Sequence, residues 1–213
     1  MGTLGGVTEQ AGLRERKRQR THDTISAAAI TLFLERGFDA VPVADVAAAA
    51  EVSKPTLFKY FPTKEDLVLH RIADHSGEAA RVVRDRSEGE RPLAALRRHF
   101  LDGLRDRDPV TGLNDHPQVL AYHRMVFETP SLAARVASYT ETDEAALADA
   151  LDPRGGLAAR LAAGQILVVQ RILARDNWRR LIGGRTAAQL HRPAVTAANR
   201  AFDQLDSGLA GAW

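Results

Sequence analysis

The chain has 213 residues, 45% of them apolar and 26% charged, an ordinary balance for a soluble globular protein with ample surface to bury. It contains no cysteine, which excludes disulfides and thiol-ligated metals and gives no argument for secretion. No apolar run approaches the ~18 residues that span a bilayer, and the opening MGTLGGVTEQAG lacks a signal peptide's apolar core and reads as a mobile tail. No membrane partner and a cytoplasmic location are therefore expected.

The net charge of +2 is uninformative, but its distribution is not. Arg14 to Arg20 holds five basic residues against Glu15 alone, and from Ser53 to Lys64 there are three lysines and no acid. Two basic patches flanking one stretch fit phosphate neutralisation better than a uniformly basic chain would. Residues 1–18 are expected to form a flexible basic arm, with Arg16, Lys17, Arg18 and Arg20 as candidate DNA contacts.

Strand signals are nearly absent, and helical spacing recurs throughout, so the expected class is all-α, with about nine helices. Ile25, Ala28, Ala29, Leu32 and Phe33 predict a first helix over residues 21–36, stopped by Gly37. Pro42 fits the first position of a short second helix whose apolar side is Val43, Val46, Ala47 and Ala50. The stretch VAAAAEVSKPTLFKYF (residues 46–61) then reads as a short helix, a tight turn and a second short helix, the pattern that places its second helix in a DNA major groove. Leu57 and Phe61, one turn apart, should face inward. Pro55, Thr56 and Lys59 then point away, with Lys54, Phe58 and Tyr60 on the flanks. Pro62 breaks this helix, and Thr63 with Asp66 approximates a capping box that starts a fourth helix running from Lys64 to about Arg86.

Residues 20–67 resemble the DNA-binding domain of the tetracycline-repressor (TetR) family of bacterial transcriptional regulators. The resemblance is carried by Ala28-Ala29, Leu32-Phe33, Glu35, Gly37-Phe38, Asp45-Val46-Ala47, Val52-Ser53-Lys54, Thr56-Leu57-Phe58, Tyr60-Phe61, Lys64-Glu65 and Leu67, in register without a gap. It implies an all-α homodimer with an N-terminal three-helix DNA-binding domain (residues 19–64) and a larger helical domain (residues 65–213) that binds a small-molecule effector and dimerises. It further implies that Lys54, Pro55 and Thr56 approach bases and that Phe58 offers its ring to a thymine methyl. Tyr60 and Lys64 would hold phosphates, and Lys59 could do either. Three positions depart from the family pattern. No threonine caps the second helix near Val41-Pro42, Glu51 stands where the turn normally holds glycine, and Phe58 replaces a common tyrosine. A non-glycine residue in a left-handed turn costs roughly 1 kcal/mol, so the turn is expected to be strained or differently shaped.

Further along, Pro92 starts a helix carrying Leu93, Leu96, Phe100 and Leu104, and residues 106–117 read as a loop rich in Asp, Pro, Gly and Asn. Helices are expected over 117–127, from Pro130 to about residue 151, over 157–182, and from about Pro193 to residue 209. The run Ile166–Val169 exceeds one apolar stripe, so the long 157–182 helix should be covered on two sides, by core and by a partner subunit. Ile166, Val169, Ile172, Leu173 and Phe202 are the candidate dimer-interface residues, as the family arrangement implies for the last two helices. His99, Phe100, Tyr122, His123, Met125 and Phe127 are the candidate effector-pocket residues, because aromatic, Met and His side chains line apolar pockets with few polar contacts.

His116 and His123, with Asp115 beside the first, match no ligand spacing, so neither metal nor cofactor is expected. No nucleophile, acid–base pair or phosphate-cradling loop can be singled out, so no catalytic residue is named. The expected function is a ligand-responsive DNA-binding regulator, a repressor released by a small effector. Two other readings use the same residues: a DNA-binding dimer that answers no ligand, and an all-α enzyme with a vestigial helix-turn-helix.

Overall fold

Apolar side chains recurring every third or fourth residue drive this chain into helices, and no strand occurs among the described residues. The structure, a computed structural model, describes residues 5–208, with side chains from Glu15 onward. In chain order the helices are α1 Gly5–Arg36, α2 Val43–Ala49, α3 Lys54–Tyr60, α4 Asp66–Ala73, α5 Glu78–Arg84, α6 Pro92–Asp106, α7 Pro117–Glu128, α8 Pro130–Leu151, α9 Leu157–Ile182 and α10 Ala187–Gly208. One 3-10 turn, Pro109–Thr111, lies between α6 and α7. The expected all-α class is the one observed.

Two compact units divide the chain. The first runs to Arg71 and takes in Arg124–Ala133; the second comprises Ile72–His123 and the residues from Ala134 onward. The first is built on Ile25, Ala29 and Phe33 of α1, Val46 and Ala47 of α2, Leu57 of α3, and Phe61, Leu67 and Val68 beyond it, all buried. The second packs α6 against α10, α10 against α9 and α5 against α6, around Leu96, Phe100, Leu104, Ile166, Ala198 and Phe202.

The structure adds to or departs from the sequence reading at four places. First, α1 reaches back to Gly5, so the stretch expected as a flexible arm is helical as far as it is described. Thr21, expected near the helix start, instead returns its hydroxyl to the Lys17 carbonyl at 2.9 Å, and Thr24 does the same to Arg20 at 2.8 Å, bonds that belong inside a helix. Second, the expected fourth helix is two helices. Gly77 adopts a left-handed φ of +71° ahead of α5, and Asp143 of α8 accepts hydrogen bonds from Ser76 Oγ (2.6 Å) and the Gly77 amide (2.8 Å). That carboxylate supplies from another helix the cap that α5 lacks locally.

Third, the loop after α6 is pinned to α9. Asn177, buried in α9, donates to the Thr111 carbonyl at 2.9 Å. At Gly112, with φ +70°, a Cβ would stand 1.9 Å from the Ala174 carbonyl oxygen, so only glycine fits. Fourth, α10 starts at Ala187, leaving Pro193 inside it. The start signal is a reciprocal capping box: the Gln189 amide donates to Thr186 Oγ1 (3.2 Å) and the Thr186 amide to Gln189 Oε1 (3.1 Å).

A further correction concerns α9. By length and composition it is long and apolar enough to cross a membrane, with a mean hydropathy of 1.4 over its richest window. Two apolar faces, one buried and one exposed, account for that hydropathy.

Candidate nucleic-acid interface

The turn between α2 and α3 is a complete Schellman motif. The Val52 amide donates to the Ala47 carbonyl (2.9 Å) and the Glu51 amide to the Ala48 carbonyl (3.1 Å). Glu51 takes the left-handed position at φ +55°. The turn therefore keeps the backbone path that glycine favours and accepts the strain of a side chain there. At the other end of α2, Pro42 occupies the N-cap with no side-chain bond, and only the Asp45 amide reaches back to its carbonyl, at 3.0 Å.

Ser53 supplies the start of α3. Its Oγ accepts from the Thr56 amide at 3.2 Å and lies 2.8 Å from Thr56 Oγ1. With Pro55 in the first turn, whose missing N–H would have no helical partner there, a seven-residue helix is well started at its N-terminus. Leu57 and Phe61 are buried beneath it. Lys54, Pro55, Phe58 and Lys59 are exposed, and Thr56 and Tyr60 are half-buried. Phe58 is 44% exposed, a large apolar ring left at the surface of a helix otherwise presenting polar and cationic groups. Among the described residues neither Lys54 nor Lys59 has a carboxylate partner, so both charges stand open.

Lys64 is placed differently. Its ammonium lies 4.5 Å from the centre of the Phe38 ring and 5.6 Å from that of Phe33, and 3.5 Å from the Asp39 carbonyl oxygen. This cation is engaged with the segment after α1. Next to it, the Thr63 amide donates to Asp66 (3.0 Å) and the Asp66 amide to Thr63 Oγ1 (3.2 Å), so the expected capping box forms.

Sequence reasoning missed the histidines behind α3. His22 stacks on Phe61 at 4.5 Å, His70 meets the edges of both rings, and buried Ser26 lies 2.8 Å from His70 Nε2. The signal was available, since His22 and Ser26 share the inward stripe of α1 with Ile25 and Ala29. Arg16, Lys17, Arg18 and Arg20 are exposed on α1, one turn and more before Ile25, the first buried residue among the described side chains.

The pocket candidates separate. Phe100 is core, its ring 6.2 Å from that of Phe202. His99 pairs with Glu78 at 3.2 Å. Tyr122 is buried next to His123, whose imidazole burial pushes below its usual pKa. Met125 and Phe127 belong to the first unit, the other four to the second.

Of the dimer candidates, Ile166 and Phe202 are corrected. Both lie in the protomer's own core, at 0% and 1% exposure, and offer nothing to a partner. Val169 and Leu173 are half-buried, and Ile172 is 59% exposed. Ile172 shares its face of α9 with Leu157, Leu161, Val168 and Ile182, all exposed. At about 100° per residue these five fall within an arc of about 80°.

Residues 25–70 match the sequence profile of the bacterial regulatory proteins of the tetR family. A curated relative, the HTH-type transcriptional regulator TcmR of Streptomyces glaucescens, is 34% identical over 147 residues, covering 68% of this chain and 65% of the relative. The chain thus spans about two-thirds of the length of that relative. Among solved structures, Salmonella enterica GusR aligns with a TM-score of 0.58 at 21% identity over 90% of this chain and 96% of that one. NalD, the secondary repressor of the MexAB-OprM multidrug efflux pump in Pseudomonas aeruginosa, aligns with a TM-score of 0.57 at 15% identity over 87% and 97%. At those identities the two structures speak for the fold alone.

Proposed function

Because the chain belongs to the TetR family of bacterial regulatory proteins, we propose that it is a homodimeric DNA-binding regulator that represses from a palindromic operator and is released by a small molecule. The observation that carries this reading is α3, anchored through Leu57 and Phe61 while Lys54, Pro55, Phe58 and Lys59 stay exposed. Residues 19–64 read DNA in this account, and residues 65–213 dimerise and bind the effector. Lys54 and Thr56 hydrogen-bond base edges, Pro55 and Phe58 make apolar contacts, and Lys59, Tyr60 and Lys64 hold phosphates. Arg16, Lys17, Arg18 and Arg20 add sequence-independent phosphate neutralisation from the helical start of α1.

Two copies pair through the exposed face of α9, Leu157, Leu161, Val168, Ile172 and Ile182, an isologous contact that a two-fold axis uses twice. Successive major grooves on one side of a duplex lie about 34–36 Å apart, the spacing the two α3 helices must match. Tyr122 and His123 remain the effector candidates of the second unit. Burial pushes the His123 imidazole toward its neutral form, which suits an uncharged ligand. Effector binding favours the state in which the two heads no longer match the grooves.

The test is footprinting of the purified protein on the DNA upstream of its own gene across a salt series. Protection of a palindrome that weakens steeply with salt is expected; no protection at low salt refutes the reading. A metabolite panel read by thermal shift separates a ligand-responsive regulator from a dimer that answers no ligand.

A further inference from the structure

The chain passes from the first unit to the second within α4, between Arg71 and Ile72. The break that follows, residues 74–77, is held from two directions. On one side Asp143 of α8 takes the Ser76 hydroxyl and the Gly77 amide at 2.6 and 2.8 Å. Arg81 closes the same loop by donating to the Ser76 and Asp74 carbonyls at 2.8 and 3.4 Å. On the other side a single carboxylate, Glu78 in the first turn of α5, stands between two imidazoles. His75 Nδ1 lies 2.9 Å from Glu78 Oε2, and His99 Nε2 of α6 lies 3.2 Å from Glu78 Oε1.

We propose that His75, Glu78 and His99 form a proton-operated clasp that ties the α4–α5 joint to α6, tight when the His99 imidazole is charged and slack when it is neutral. The clasp stands independently of the DNA-binding reading, and its test needs no DNA.

The surroundings fix the sign. The hydrogen bond from His99 is the main influence holding the Glu78 carboxyl down at about 2; burial opposes it, and His75 adds to it. Glu78 is therefore an anion at every pH where the protein works. The hydrogen bond to Glu78 raises the pKa of His99 above its ordinary 6.5, against burial, and the charges of Glu78, Asp108 and Asp102 raise it further. A group whose pKa is raised on folding contributes fully below its unfolded value. That contribution is lost as pH rises through the folded value. The clasp is thus closed below the ordinary imidazole pKa and opens as pH rises through the raised pKa of His99. The Asp143 bonds to a hydroxyl and an amide hold the other side of the joint. Among the described residues no group of three or more His, Cys, Asp and Glu side chains is arranged to hold a metal ion, which leaves both imidazoles to the carboxylate.

Amide hydrogen exchange of Gly77, Glu78 and Arg81, corrected for intrinsic rates, is measured on the full chain between pH 6 and 8. Protection is expected to fall about three- to tenfold with rising pH in the native protein and to be flat in Glu78→Gln, which keeps the shape and removes the charge. His99→Asn provides a second, independent loss of the clasp, and far-ultraviolet circular dichroism checks that each variant folds. Protection independent of pH in the native protein, or a pH dependence that survives in both variants, overturns the proposal.

Discussion

Replacing Glu51 by glycine should stabilise the protein, because the left-handed position after a helix C-terminus is the one that glycine favours. The backbone of the turn is held by the Val52 and Glu51 amides, bonds that do not involve the Glu51 side chain. That side chain is exposed and has no partner among the described residues. What it adds is a Cβ at φ +55°, which costs about 1–2 kcal/mol in the left-handed region. Glycine gives back about 0.4–1 kcal/mol of this, because the unfolded chain gains freedom. The net gain then lies between about 0 and 1.6 kcal/mol, centred on about 0.8, or roughly 2–3 °C in Tm at the centre for a chain of this size. Glu51→Ala is the control, since it removes the same charge and keeps the Cβ. Calorimetry of the three proteins decides the matter. If Glu51→Gly is no more stable than Glu51→Ala, the turn is not strained and the reasoning fails.

Lys54, open on α3, and Thr56 beside it are the proposed base contacts, so Lys54→Ala and Thr56→Ala should each cost about 1–3 kcal/mol at the cognate operator and much less on unrelated DNA, as read by fluorescence anisotropy. Ser53→Ala removes the cap of α3 and should lower stability by about 1 kcal/mol in denaturant titrations, with operator affinity falling as well. Lys64→Ala should flatten the salt dependence of binding by about one unit while also costing stability, since its ammonium rests on the Phe38 ring. Ile172→Asp should leave the protomer folded, its site being 59% exposed. Burying each isoleucine contributes about 1.5–3 kcal/mol, and two-fold symmetry counts it twice, so sedimentation should show a dimer weakened by about a hundredfold or more.

The helices that read most plainly in the sequence were those with one continuous stripe and a hard stop. α2, α3, α6 and α9 lie close to where spacing, Pro42, Pro62, Pro92 and Gly183 put them. Leu57 and Phe61 turned inward as their one-turn spacing required. What was illegible depended on partners distant in the chain. The break after Ala73 is stabilised by Asp143, a residue 66 or 67 positions away from those it holds. Lys64 reads as a free cation in sequence, yet its contacts are aromatic rings some thirty residues earlier. For Ile166 and Ile172 the sequence shows only two isoleucines on one apolar helix. Which of them faces the core depends on how α9 is rotated against α6 and α10, and no local pattern encodes that.

That rotation also decides what α9 is for. Its buried residues Ala159, Ala162, Ala163, Ile166 and Leu181 and its exposed residues Leu157, Leu161, Val168, Ile172 and Ile182 centre on directions about 180° apart. A helix apolar on two opposite sides satisfies a hydropathy test for crossing a membrane, and equally fits a layer between a core and a second protein. The two explanations separate on the charges and on the buried side. Arg171, Arg175 and Arg179 lie on or beside the exposed arc, and Arg171, nearest the middle of the helix, would cost about 2.5–3.5 kcal/mol near a bilayer centre. The opposite side is already packed against the chain's own helices. A partner surface asks less of the same residues, since the apolar stripe can pack while long arginine stems cover its rim with their charges in water. On the proposed homodimer reading the exposed face of α9 is the seam between two copies, and that seam would make two α3 helices act on one stretch of DNA.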